Sequence, residues 1–165
     1  MGGDRVSHAL WRSGKGRAVK ALGAVASKDT SVIILLGLND VTALGKPSDV
    51  VGGVCKLVSE LKAGLKSEGT RVFVLEVPLL PRYSMKMLEL AKNINKWLGN
   101  ISARVGFTVP KYTSLLDEHG TVMPRWLISR LDVHLNAKGY REFTRFLGSL
   151  IDMQGSFSSK FNLIA

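Results

Sequence analysis

The run Ser31-Val32-Ile33-Ile34-Leu35-Leu36 carries no polar side chain after its first position and closes in Gly37-Leu38-Asn39-Asp40. An aliphatic stretch this short, rich in β-branched residues and without polar alternation, reads as a strand covered on both faces. Such a strand belongs to a parallel sheet and needs helices above and below it. The flanking sequence supplies them. From Arg5 to about Ala26 the positions Val6, Leu10, Val19, Leu22 and Val25 predict a helix, with a break or tight bend at Gly14 and Gly16. After the loop Gly45-Lys46-Pro47-Ser48, Val50, Val54, Leu57, Val58, Leu61 and Leu65 recur at helical spacing. Arg71 to Val77 reads as the next strand, stopped by Pro78 and Pro81, which cannot continue a central ladder.

Met87, Leu90, Ala91, Ile94, Trp97, Leu98 and Ile101 mark a long amphipathic helix, and Gly106 to Val109 a short third strand. Residues 110–130 lack periodicity and read as loop with at most one short helix, turning at Asp117-Glu118-His119-Gly120. The last helix is predicted from Ala137 to about Met153, with Tyr140, Phe143, Leu147 and Leu150 on its inner face. Beyond Gln154 the Ser-rich tail is expected to fray, with Phe157, Phe161 and Leu163 available to dock. Alternating helices and strands imply right-handed crossovers and a parallel sheet. The expected architecture is a three-layer αβα sandwich over residues 1–154 followed by a tail, 155–165.

At 165 residues the chain suits one domain, and 45% hydrophobic with 22% charged residues are globular proportions. Its aliphatic runs fall far short of the roughly 18 apolar residues of a membrane span, so no membrane partner is expected. Nothing at Met1-Gly2-Gly3-Asp4-Arg5 resembles a signal peptide, which makes an intracellular, cytoplasmic location the expectation. A lone cysteine, Cys55, excludes an internal disulfide and reads as a small buried side chain. The outlier is charge: 23 Lys+Arg against 13 Asp+Glu give +10. That excess fits either a solvated basic face or contact with a polyanion such as nucleic acid, although no aromatic-basic interleaving accompanies it.

Three weaker signals argue against a cofactor or metal. Ser13-Gly14-Lys15-Gly16-Arg17 lacks the strand and spacing of a phosphate loop. His8 and His119 have no companions at metal-ligand spacing, and there is no Cys cluster. The Asp117-Glu118 pair reads as a solvated loop tip.

Two segments can carry chemistry. Asn39 stands at the carboxyl end of the first strand, where open parallel sheets present ligand groups, and its amide could donate to a developing oxyanion. Taken alone, Gly37-Leu38-Asn39-Asp40 reads as a simple turn whose side chains bond their own backbone, and it is His134 that shifts the weighting. The second segment, Asp132-Val133-His134-Leu135-Asn136, offers an imidazole able to shuttle a proton near neutral pH, with Asn136 most simply the N-cap of the last helix.

As a pair, GxND after a strand and DxHLN before a helix resemble the SGNH/GDSL hydrolase family. Val72 to Pro78 with Arg82, Ile94-Asn95 with Leu98, and Gly139-Tyr140 fit the same order, so the resemblance covers about residues 2–150. It implies a flavodoxin-like three-layer fold and hydrolysis of a small-molecule carboxylic ester through an acyl-serine without a cofactor. His134 would be the base, Asp132 a possible orienter of its ring, and Asn39 an oxyanion donor.

Two departures qualify it. The family's Asp stands three residues before the His, where this chain has Leu131, and Asp132 lies two before. No strand leads into a Gly-Asp-Ser block. Gly3-Asp4-Arg5 resembles that block only superficially, and its spacing to Asn39 suits the family's second block. There Gly3, or Gly2, would supply a backbone N–H to the oxyanion hole. Ser7 and Ser13 fall in a helix and make poor nucleophiles. The resemblance therefore predicts an N-terminally truncated, inactive relative whose first strand and serine would precede Met1. The family sheet holds that strand in its interior. Its loss would leave Ser31 to Leu36 on an exposed edge open to self-association. The alternative is a non-catalytic basic binding module, or a retroelement-derived remnant that contacts nucleic acid.

Overall fold

The computed structural model describes residues 5–14, 17–26, 30–65, 69–130, 132–152 and 162–164. The predicted first helix is described as two, α1 (Val6–Gly14) and α2 (Arg17–Val25), and Gly16 of the predicted bend lies outside the described residues. They are followed by β1 (Ser31–Ile34), α3 (Leu38–Thr42), α4 (Pro47–Leu65), β2 (Arg71–Val74), α5 (Met85–Val105), α6 (Ala137–Asp152) and β3 (Asn162–Ile164). Two 3-10 turns, Thr113–Leu115 and Pro124–Trp126, punctuate the stretch read as loop.

The sheet runs β2-β1-β3 with both pairings parallel, Val32 lying opposite Val72 on one side and Asn162 on the other. The strand predicted at 106–109 is reduced to one bridge. Thr108 N donates to Val72 O (3.0 Å), and Val74 N donates to Thr108 O (2.9 Å). The extended stretch there is short, hemmed in by the left-handed cap of α5 at Gly106 and by Pro110, which has no N–H to give. At the opposite side the structure also departs from expectation. Asn162–Ile164 pairs along Val32–Ile34, so β1 has a neighbour on both sides where an open edge was expected. A flat, fully apolar strand edge favours such pairing even with a segment of modest β propensity.

Alternate residues of β1 and β2 separate the layers. Val32, Ile34, Val72 and Val74 pack with Val54, Leu57, Val58 and Leu61 of α4 and with Ala91, Ile94 and Leu98 of α5. Ile33, Phe73 and Leu75 pack with Leu147 and Leu150 of α6. Full burial of each such side chain contributes about 1.5–3 kcal/mol before chain entropy is counted. Helices α1 and α2 lie on α4 at two glycines: a Cβ on Gly53 would strike Val6, and one on Gly64 would strike Val19.

This layering places the site. Strand order grows from β1 to β2 to Thr108 with α4 and α5 on one face. The chain then returns along α6, on the other face, to β3 across β1. Right-handed crossovers require that change of face when strand order reverses. The reversal falls at β1, and the carboxyl side of such a point is where open α/β sheets hold ligands. There, the Asn95 amide takes the place of a neighbouring strand for Val77, accepting from its N–H (2.8 Å) and donating to its carbonyl (2.9 Å). That clamp ends the β2 ladder and fixes Pro78 at the sheet's carboxyl edge.

The segment read as a turn after β1 is the short helix α3. Asp40 on it reaches across the fold, its Oδ2 accepting from Val6 N at 3.1 Å at the start of α1. Replacing Asp40 by alanine is expected to cost about 0.5–2 kcal/mol, the usual loss of a helix N-terminal acceptor. Asparagine should recover most of it, because an uncharged oxygen still accepts. Urea midpoints would decide: equal losses in both variants would assign the effect to the negative charge at the α1 terminus instead.

Candidate functional site

His134 precedes α6 on a tight local turn built by Asp132. The Asp132 Oδ1 accepts from Val133 N (2.7 Å) and His134 N (2.9 Å), and lies 2.6 Å from His134 Nδ1. A side-chain oxygen accepting from the backbone two residues on is an Asx turn, and it needs no long-range contact to form. The His134 backbone N–H first, then the His134 ring, hold the Asp132 carboxyl below the usual carboxylate range. An ionised Asp132 favours the proton on Nδ1 and leaves Nε2 as the basic nitrogen. The ring is accessible, with 59% of its side chain exposed.

Asn136 fastens this turn to the rest of the molecule. Its Oδ1 accepts from Lys138 N (3.0 Å) and Gly139 N (2.9 Å), the N-cap role expected from sequence. Its Nδ2 donates to Arg125 O (2.7 Å) and Leu127 O (3.0 Å), which the sequence did not indicate. Ile128 N donates to His134 O (3.1 Å), and Asn136 N to Trp126 O (2.7 Å). The approach is so close that a Cβ on Gly139 would strike the Trp126 carbonyl. Arg125 stacks over the Trp126 ring at 4.8 Å.

A cavity of about 570 Å³ opens between this unit and the carboxyl edge of the sheet. Leu35 to Asn39 line it from the end of β1, Pro78 and Leu80 from beyond β2, and Tyr112, Leu115, Val122 and Leu127 from the irregular stretch. Val133, His134 and Leu135, with Tyr140 and Phe143 of α6, complete it. Apart from two tyrosines, Asn39 and His134 are the polar side chains among these lining residues. The buried Tyr112 hydroxyl donates to Glu76 O (2.9 Å). Burial above all, with Glu76 and Tyr83 nearby, pushes that phenol far up, so it stays protonated. Its ring meets Phe143 and Phe146 edge-on, at 6.4 and 5.8 Å, flooring the cavity with aromatic surface.

The structure thus brings three of the four residues singled out from sequence to one cavity: Asn39 lines it from the sheet edge and His134 from the turn before α6, with Asp132 against the imidazole Nδ1. Gly3 lies outside the described residues. Among the described lining residues there is no Ser, Thr or Cys. Ser13 is buried, with its Oγ 2.5 Å from Glu60 Oε2 and 3.0 Å from Leu10 O. Cys55 sits on α4, where burial raises its thiol. No group of three or more His, Cys, Asp or Glu that could hold a metal occurs among the described residues.

Tyr140 departs from its expected core position. It is 52% exposed and borders the cavity. The contributions of Tyr112, Leu115, Val122 and Leu127 escape sequence reading because they arrive through a single 3-10 turn, Thr113–Leu115, and through isolated bridges, Leu116 to Val122 and Leu127 to Leu135, rather than through periodic elements.

A parallel sheet between helical layers, with a histidine-carboxylate pair and an amide at the carboxyl edge of its turning point, defines the class of three-layer α/β hydrolase-like domains. The model of the GDSL-like lipase/acylhydrolase family matches residues 1–142, and the chain belongs to that family. Among solved structures it is similar to a GDSL-like lipase from Bacteroides thetaiotaomicron, with 15% identity over 74% of this chain and a TM-score of 0.60. It is also similar to TesA, with 19% identity over 90% of this chain, 73% of that chain and a TM-score of 0.57. At such identities the likeness is one of fold. The chain spans 62% of the length of the Bacteroides lipase. No curated protein matches it in sequence.

Proposed function

We propose that the cavity is an acyl site of the ester-hydrolase type. In this reading His134 is the base, Asp132 orients it, and Asn39 donates to the carbonyl oxygen. The observation that carries the reading is the placement of Asn39 and the Asp132-anchored His134 on one otherwise apolar cavity. An ester carbonyl held between them would have its oxygen at the Asn39 amide. Its acyl chain would lie against Leu35, Leu115, Phe143 and the Tyr112 ring, where burial of apolar surface supplies the binding free energy. His134 Nε2 would take the proton of an attacking hydroxyl and return it to the leaving alkoxide, and Asp132 would stabilise the imidazolium formed in between.

That cycle needs a hydroxyl nucleophile, and the described lining residues offer no serine, threonine or cysteine. The protein is therefore proposed to bind acyl compounds without forming an acyl-enzyme. A fluorophosphonate probe tests this directly: no covalent labelling is expected, and stoichiometric labelling at any serine would overturn the assignment. The alternative, a basic module contacting nucleic acid, draws on the net charge of +10 and would appear as retention on nucleic acid that weakens steeply with salt.

A further inference from the structure

We propose that the mouth of the cavity docks on the surface of an anionic lipid bilayer, with Ile128 and Tyr140 entering the interface and Arg125, Arg130, Lys138 and Arg141 meeting lipid phosphates. Leu127, Val133, His134, Leu135 and Tyr140 line the cavity, and the described residues of 124–141 around them are bound into one unit by the Asn136 amide and the Ile128 to His134 hydrogen bond. All four cations on it are exposed. Its described carboxylate, Asp132, is engaged by His134 and by two backbone N–H groups. The Arg145 and Glu142 side chains just beyond neutralise each other at 3.0 Å.

Exposed apolar groups on the same unit decide between possible anionic partners. Ile128 is 64% exposed although its backbone is tied to His134 O, and Tyr140 is 52% exposed at the cavity rim. A nucleic acid would use the cations and could stack on Tyr140, but it has nothing to place on Ile128 or in an apolar cavity. A bilayer offers phosphate charge, a boundary suited to a tyrosine and an isoleucine, and hydrocarbon continuous with the cavity. No described helix is long and apolar enough to cross a membrane. The expectation of no membrane partner came from the absence of a span and did not address a surface of this kind. The proposal requires no cleavage and stands apart from the acyl-site reading.

Co-sedimentation of the whole chain with phosphatidylcholine vesicles, with and without phosphatidylglycerol, provides the test. Retention is expected on the anionic vesicles and not on pure phosphatidylcholine. The double variant R130E/R141E should weaken partitioning by at least about tenfold, since each basic group near an anionic surface contributes about fivefold. Ile128→Ser should weaken it by about threefold to tenfold through lost apolar burial. The same Ile128→Ser variant should bind a single-stranded RNA homopolymer as the parent does. Both changes are on exposed side chains, and unchanged thermal midpoints would verify the fold. Absence of binding to anionic vesicles overturns the proposal. So does an Ile128→Ser variant that binds them like the parent, which would reduce the surface to a general polyanion binder.

Discussion

Replacing Asn136 by alanine is expected to destabilise the domain by about 2–4 kcal/mol, the combined loss of a helix N-cap and of two donors to backbone carbonyls, one exposed and one partly buried. Two of its four side-chain hydrogen bonds cap α6 at Lys138 N and Gly139 N, and two hold Arg125 O and Leu127 O. Aspartate separates these roles. It keeps the cap and adds a favourable charge at the helix N-terminus, but it turns the Nδ2 donor into an oxygen facing two carbonyls. If fastening the 124–128 segment dominates, Asn136→Asp should be nearly as damaging as alanine. If capping dominates, it should be close to neutral. The first outcome is expected because an aspartate at this position keeps both cap bonds but sets a negatively charged oxygen against two carbonyls, one of them partly buried. Urea unfolding at constant slope would measure the cost, and the His134 ring resonances would report whether the turn above Asn136 loosens before the domain unfolds. A loss below about 0.5 kcal/mol in the alanine variant would remove Asn136 from any positioning role.

How legible such features are depends on whether the physics behind them is local. The run 31–36 announced a doubly covered strand because burial on both faces removes polar alternation, and Val32, Ile33 and Ile34 are indeed at most 3% exposed. The Asp132–His134 contact was also within reach of the sequence. It closes over two residues, so the shifted carboxylate still lands 2.6 Å from Nδ1. The partners of Asn136 were not. Arg125 O and Leu127 O belong to a stretch without periodicity, whose position is set by single bridges to Leu79, Leu116 and Leu135. Asp40 illustrates the same divide. As part of a turn-forming pair it was read locally, yet its carboxylate serves Val6, 34 residues earlier in the chain. The pairing of Asn162–Ile164 is the extreme case, since its cause lies in the apolar edge of β1 and not in the Ser-rich tail itself.

Gly37→Ala is the second large effect expected, at about 2–4 kcal/mol, because two independent penalties meet at one atom. Gly37 has φ 98° and ψ −13° at the start of α3, a conformation that side chains with a Cβ rarely adopt. A Cβ there would also stand 2.8 Å from Val77 Cγ2 and 3.4 Å from Val50 Cγ1. A double-mutant cycle with Val77→Ala separates the penalties, since that change removes the offending methyl while leaving the backbone torsion as it was. Val77 is 1% exposed, so its own truncation carries a cavity cost that the cycle subtracts. A coupling of about 1–2 kcal/mol is expected, with Gly37→Ala milder in the Val77→Ala background. Strict additivity would instead assign the whole effect to torsion.

The consequence reaches the site because Gly37 O accepts from Val41 N (2.9 Å) and so sets where α3 begins and where Asn39 enters the cavity. The Val77 backbone is held by the Asn95 amide, so the clash is shared between the Val77 side chain and α3, which carries Asn39. If the cavity takes an acyl ligand as proposed, Gly37→Ala should weaken that binding beyond what its stability loss explains, and Val77→Ala in the same chain should restore part of it.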